Sequence, residues 1–291
     1  MTPRGIALVL VVVIVWGVNF VSIRCGVDEV PPLLLTSLRY VVAALPAIFF
    51  IRRPKVALGI LVAYGFAVGV GQFSLLFSAI KLGMPAGLSS LVMQLQAFFT
   101  IALAVMFLGE RPSVAQLFGA LIAFGGIGVI ALERLGGAAL LPFVMTIGAA
   151  ACWGVANIVT KRAGKIEMLG FVVWSSLVPP IPLYLLSLLF EGPGAVPLAL
   201  SQITILGIGS LLFIGWGSTV FGYGAWSVLL GRYPASTVAP FTLLVPIAGI
   251  GSAALLLGER ISNLEWIGSG LVFAGLLLNV FGPRLLRRAA A

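Results

Sequence analysis

The 291-residue sequence contains no histidine. That excludes a Ser–His dyad and the two-histidine zinc helix of metalloproteases. Charge is also scarce: 9% of the residues are charged, where a soluble domain carries roughly 25%. A chain so poor in charge cannot cover itself with a polar surface, so lipid must be its solvent. The acidic residues are Asp28, Glu29, Glu110, Glu133, Glu167, Glu191, Glu259 and Glu265, all in connections or near the ends of apolar runs. With Asp28 the only aspartate, an intramembrane aspartyl pair is excluded. An enzyme is therefore not expected, nor a cofactor or a metal. The two cysteines, Cys25 and Cys152, lie in different halves and read as unpaired small apolar residues.

What the chain does have is apolar length, with 61% of its residues hydrophobic. A spanning helix needs about 20 mainly apolar residues, because 1.5 Å per residue must cover about 30 Å. Ten stretches qualify, at approximately 5–24, 32–51, 57–79, 84–108, 113–132, 140–161, 168–190, 203–230, 234–257 and 262–282. The first is longer than the apolar core of a signal peptide and lacks a small-x-small site before Arg24, so it reads as an uncleaved span. No linker is long enough to hold a soluble domain. The expected fold class is an all-α integral membrane protein with ten transmembrane helices.

The net charge of +9 is no nucleic-acid footprint, because the cations sit in short connections and not in a patch. With the N-terminus inside, twelve Lys/Arg residues face inward: Arg4, Arg52, Arg53, Lys55, Arg111, Lys161, Arg162, Lys165, Arg232, Arg284, Arg287 and Arg288. Four face outward, Arg24, Lys81, Arg134 and Arg260, and Arg39 inside the second span completes the 17. This bias places both termini in the cytoplasm, with the protein in a bacterial inner membrane.

The halves repeat. Pro85-Ala86 recurs as Pro234-Ala235, Leu108-Gly109-Glu110-Arg111 as Leu257-Gly258-Glu259-Arg260, and Gly119 and Gly126 as Gly268 and Gly275, all at an offset of 149. Trp16-Gly17-Val18 recurs as Trp153-Gly154-Val155, and Arg24 as Lys161, at 137. The Gly-Glu-Arg triplet with flanking Pro and Gly at one fixed offset reads as a duplication, with about 12 residues of insertion between the two blocks. The expected units are residues 1–138 and 139–291, five spans each. An odd number of spans inverts the second unit, a plan of secondary transporters whose substrate site lies at the midplane between repeats. The second half has Pro240 and Pro246 where the first has Leu91 and Ala97, so helices 4 and 9 should bend differently.

Polar side chains within spans must pair or face a cavity. Candidates are Trp16 and Asn19 on helix 1, Gln72 on helix 3, Gln94 on helix 4, Trp153 and Asn157 on helix 6, and Tyr223 and Trp226 on helix 8. Ser74, Ser78, Ser89, Ser90, Gln96, Thr100, Ser218, Thr219 and Ser227 accompany them, but a hydroxyl can satisfy itself on its own i−4 carbonyl. The structural alternative for the amides is interhelical hydrogen bonding, and for the aromatics an interfacial belt. Arg39 can snorkel, bond helix carbonyls or attract a carboxylate. Glu110 and Glu259 read as loop anchors. The cavity is expected among helices 1, 3, 4, 6, 8 and 9, with amides and hydroxyls for a zwitterionic head group and aromatic walls for a side chain.

Several blocks carry a family likeness. Trp16-Gly17-Val18-Asn19-Phe20, Gly83-Met84-Pro85-Ala86-Gly87, Gln94-Leu95-Gln96-Ala97-Phe98-Phe99-Thr100, Gly109-Glu110-Arg111, Gly222-Tyr223-Gly224-Ala225-Trp226 and Leu229-Leu230-Gly231-Arg232-Tyr233 resemble the drug/metabolite transporter superfamily. Within it the chain is similar to EamA-type amino-acid exporters, a branch associated with cysteine, O-acetylserine and broader amino-acid efflux. The resemblance implies a ten-helix inner-membrane exporter with a central cavity, whose partners are small-molecule substrates (amino acids) and membrane lipid. A monomer is expected, and no nucleic acid. Efflux of other small amphiphilic drugs or metabolites, or flipping of a lipid carrier, is the alternative. A cationic-drug pump would want a membrane-embedded carboxylate, a nucleotide-sugar carrier several cavity cations, and a channel a charged ring, none of which is evident.

Overall fold

In lipid a segment must satisfy its backbone internally, so apolar runs of this length become helices. The computed structural model describes residues 1–134 and 139–289. The expected boundary after residue 138 lies outside the described residues. Among the described residues, nine helices are long and apolar enough to cross a membrane, and a bent pair makes a tenth. They are α1 (Pro3–Glu29), α2 (Pro32–Phe49), α3 (Leu58–Lys81), α4 (Ala86–Leu108), α5 (Val114–Glu133), α6 (Leu140–Ala163), α7 (Met168–Ser175 with Pro180–Phe190), α8 (Ile205–Arg232), α9 (Ala239–Leu257) and α10 (Asn263–Pro283). A short helix, Ala195–Gln202, lies in the connection between α7 and α8.

The sequence signals set the helix ends. Thr2 caps α1, its hydroxyl accepting from the Gly5 amide at 3.2 Å. At α10 the Glu265 carboxylate accepts from the Ser262 amide (3.0 Å) and the Ser262 hydroxyl from the Glu265 amide (3.1 Å), a reciprocal capping box. The repeated Gly-Glu-Arg blocks end α4 and α9, with Gly109 and Gly258 both at φ 66° in left-handed caps. The stretch 168–190 departs from a single straight helix and bends by 42°. Pro179 and Pro180 cause this, because each lacks an N–H and crowds the residue before it out of helical geometry.

The halves interlock. The first helix of each packs on the fourth of the other: α1 on α9, and α6 on α4. Glycines make the close approach possible, with Gly17 against Ala248 and its repeat mate Gly154 against Phe99. The fifth helices, α5 and α10, meet along an antiparallel seam. A Cβ on Gly119 would lie 2.7 Å from the Gly275 carbonyl oxygen, and one on Gly126 2.6 Å from that of Gly268. The exposed side chains include Phe49, Leu189, Ile205 and Leu255, an apolar exterior suited to lipid.

Three carboxylates join helices at one end of the bundle. Glu29 accepts from the Thr204 amide and hydroxyl, each at 2.7 Å, at the start of α8. Glu191 accepts from Leu33 (2.6 Å) and Leu34 (3.1 Å) in the first turn of α2, and Glu259 from Ala86 (2.8 Å) and Gly87 (2.9 Å) in that of α4. Each places negative charge on unsatisfied amides at a helix N-terminus. At the opposite end Glu110 instead pairs with Lys161 in an exposed ion pair.

Candidate functional site

A cavity of about 140 Å³ lies near the middle of the bundle, where the halves meet. The first half contributes Trp16, Asn19 and Phe20 of α1, Arg39 of α2, Gln72, Phe73 and Leu76 of α3, and Ser90, Met93, Gln94 and Gln96 of α4. The second contributes Trp153 of α6, Ser218, Thr219 and Tyr223 of α8, and Thr242 and Val245 of α9. The walls thus come from the six helices anticipated and from α2.

Irregular backbone shapes these walls. In α3, residues Gly65–Phe73 are wound as a π-helix, and in α8 the corresponding Phe213–Phe221 are too. In α4, Met93–Leu95 tighten to 3-10 geometry, as Ala239–Leu244 do at the start of α9. The proline-containing segment is the longer of the two, but α4 departs from α-helix without any proline. Such segments free carbonyls from the i−4 ladder. Cavity side chains use two of them: Trp16 donates through Nε1 to the Ser218 carbonyl (3.1 Å), and Gln94 through Nε2 to that of Thr242 (3.2 Å). Both bonds join the two halves.

Of the eight residues singled out by depth and type, the cavity wall holds Trp16, Asn19, Gln72, Gln94, Trp153 and Tyr223. Asn157 and Trp226 lie elsewhere. Asn157 donates to Gln96 Oε1 (2.5 Å) and Thr100 Oγ1 (3.0 Å), tying α6 to α4. Trp226 stands behind Trp16, ring centroids 5.2 Å apart, against a cluster of Val9, Leu229 and Val238. Among residues that the sequence did not single out, Thr242 and Val245 line the wall. Val245 sits 149 positions after Gln96, a polar residue marked in the sequence, so the repeat offset would have found it; Thr242 sits 149 after Met93, which nothing in the sequence marked.

Arg39 dominates the electrostatics. It is 3% exposed and donates from Nη2 to Thr219 Oγ1 at 2.9 Å. Its guanidinium carbon lies 3.8 Å from the centre of the Phe73 ring. Among the described residues, no Asp or Glu is on the cavity wall. Arg39 Nε and Nη1, Asn19 Oδ1 and Gln72 Oε1 are buried with no hydrogen-bond partner among the described residues. A buried polar atom is ordinarily paired, so these atoms, with Tyr40 Oη beside Arg39, are groups that water or a bound molecule would satisfy.

The EamA-like transporter family matches residues 3–132 and again residues 140–281. A "Probable amino-acid metabolite efflux pump" of Salmonella typhimurium is 46% identical over 288 residues, spanning 97% of this chain and 96% of the relative. Its namesake in Escherichia coli K12 is 44% identical, spanning 98% and 97%. A "Probable terminal-alkyne amino-acid exporter" of Streptantibioticus cattleyicolor is 28% identical, over 94% and 91%. A solved crystal structure with 18% identity superposes at a TM-score of 0.61, covering 96% of this chain and 98% of its own, a likeness of fold alone.

Proposed function

We propose, since the chain belongs to the EamA-like transporter family, that it exports amino acids and related small metabolites by alternating access through the central cavity. The observation that carries this reading is a midplane cavity built from both repeats, polar and aromatic, with unpartnered donors and acceptors on its wall. The relatives named as efflux pumps support the direction and the substrate class. Trp16, Asn19, Gln72, Gln94, Trp153 and Tyr223 contact the substrate. The five-helix units 1–138 and 139–291 rock against each other and expose the cavity to one side at a time. Both termini are cytoplasmic in a bacterial inner membrane, so the end held by Glu29, Glu191 and Glu259 faces outward. The working unit is a monomer.

Transport is facilitative. A proton-coupled carrier needs a pathway group that gains and loses a proton near neutral pH. Among the described residues the wall carries no Asp, Glu or His, and Glu265, the acidic residue nearest a span interior, is engaged in the cap of α10. The test is counterflow in proteoliposomes against the twenty amino acids, quaternary amines and nucleotide sugars. Uptake of amino acids is expected; uptake of amines alone would overturn the reading in favour of drug efflux.

A further inference from the structure

The cavity contains an uncompensated charge. Arg39 is almost fully buried, yet among the described residues its nearest polar contact is a threonine hydroxyl, and the ion pairs join Arg24 to Asp28 and Lys161 to Glu110, away from the wall. A buried cation without an anion is strongly unfavourable unless something brings the anion. Two of its nitrogens, Nε and Nη1, are unpartnered, while Phe73 occupies one face of the guanidinium. Nη2 gives one of its two N–H groups to Thr219, so the other, together with Nε or Nη1 beside it, forms the edge that receives a carboxylate in a forked pair. The same cavity holds two unpartnered acceptors, Asn19 Oδ1 and Gln72 Oε1, on 6% and 3% exposed side chains. Unpaired donors on a cation and unpaired neutral oxygens in one cavity are the complement of a zwitterion.

We propose that Arg39, Asn19 and Gln72 form the head-group site: Arg39 takes the α-carboxylate of a free amino acid, and the two amide oxygens take its ammonium. The aromatic rings of Trp16, Trp153 and Tyr223 are left for the side chain. This assignment rests on the export reading and narrows it. The substrate must carry a free carboxylate and a free amine on one small frame, because capping either end leaves a buried polar group of the site unpaired. Decarboxylated amines, amino-acid amides and N-acetylated amino acids are excluded by the same groups that hold the parent compound.

The test uses the amino acid that the wild-type protein transports best, labelled, with its unlabelled carboxamide and N-acetyl derivative as competitors in proteoliposomes. For the wild type each derivative is expected to compete at least about tenfold more weakly than the parent. Arg39→Gln, which removes a buried unpaired charge and so does not strain the fold, is expected to erase the preference for the parent over its carboxamide while leaving the preference over the N-acetyl compound. Asn19→Leu and Gln72→Leu are expected to do the reverse. Arg39→Lys, which keeps the charge and loses the fork, should retain part of the carboxylate preference. A wild type that does not discriminate between parent and carboxamide, or an Arg39→Gln variant that discriminates as the wild type does, overturns the assignment while export stands. Transport of none of the twenty amino acids overturns the export reading, and this one with it.

Discussion

Asn157 and Gln94 are both amides near mid-span, and only the structure separates them. Asn157 is engaged by Gln96 and Thr100, whereas Gln94 reaches across the cavity to the Thr242 carbonyl. Asn157→Leu is accordingly expected to lower thermal stability by about 0.6 to 2 kcal/mol, read as melting in detergent, with the substrate preference unchanged. Gln94→Ala, Trp153→Ala and Tyr223→Ala should each impair transport in proteoliposomes while the protein stays monodisperse. Normal transport by all three would make the wall a packing feature. At this scale the sequence is half legible. Residue type and depth locate amides and aromatics in the membrane, but helical phase within an apolar run is weakly marked, so which way each points is not readable. Arg39 illustrates this: its place inside a span is plain, and its lack of an anionic partner depends on eight carboxylates all settling elsewhere.

Helices are legible because lipid leaves an apolar run of this length no alternative conformation. Their irregularities are not, because π and 3-10 turns in α3, α4, α8 and α9 satisfy the same composition as an α-helix and differ only in tertiary contacts. The glycine seam is an intermediate case. Gly119, Gly126, Gly268 and Gly275 stand out as repeated positions, yet their meeting across α5 and α10 follows only from the pairing of the two halves. Gly126→Leu is expected to destabilise the protein by about 1–3 kcal/mol, because a side chain there meets the Gly268 carbonyl and forces the helices apart. The neighbouring Gly125→Leu is the control: a Cβ there has nothing within 4 Å, so melting should hardly change. Equal shifts for both would dissolve the seam.

For the molecule as a whole, duplication and span count determine most of what can be foreseen: five helices per half, opposite insertion and a site between. Reporters fused near Asp28 or Gly192 should be active in the periplasm and those near Pro54, Lys165 or Arg288 should not, following the Lys/Arg bias. A periplasmic reporter after Pro54 would reverse the orientation. An imposed pH gradient at a fixed substrate gradient should leave the transport rate nearly unchanged. A steep acceleration abolished by an ionophore would instead demand a proton carrier, with Glu110 and Glu265 the first residues to mutate. The carboxylates at one end also set a tempo. Glu29, Glu191 and Glu259 accept six hydrogen bonds from the starts of other helices, which oppose any opening at that end. Opening there is therefore expected to be the slower, more temperature-dependent stroke, because the opposite end is joined by weaker contacts, among them the exposed Lys161–Glu110 ion pair and the Thr2–Tyr233 hydroxyl contact. Bonds to a charged group are worth about 1.5–3 kcal/mol. Hence Glu259→Ala should speed alkylation of a Met93→Cys probe from that side by about tenfold, in a background lacking Cys25 and Cys152. An unchanged rate would mean that the carboxylates brace the helices without timing their motion.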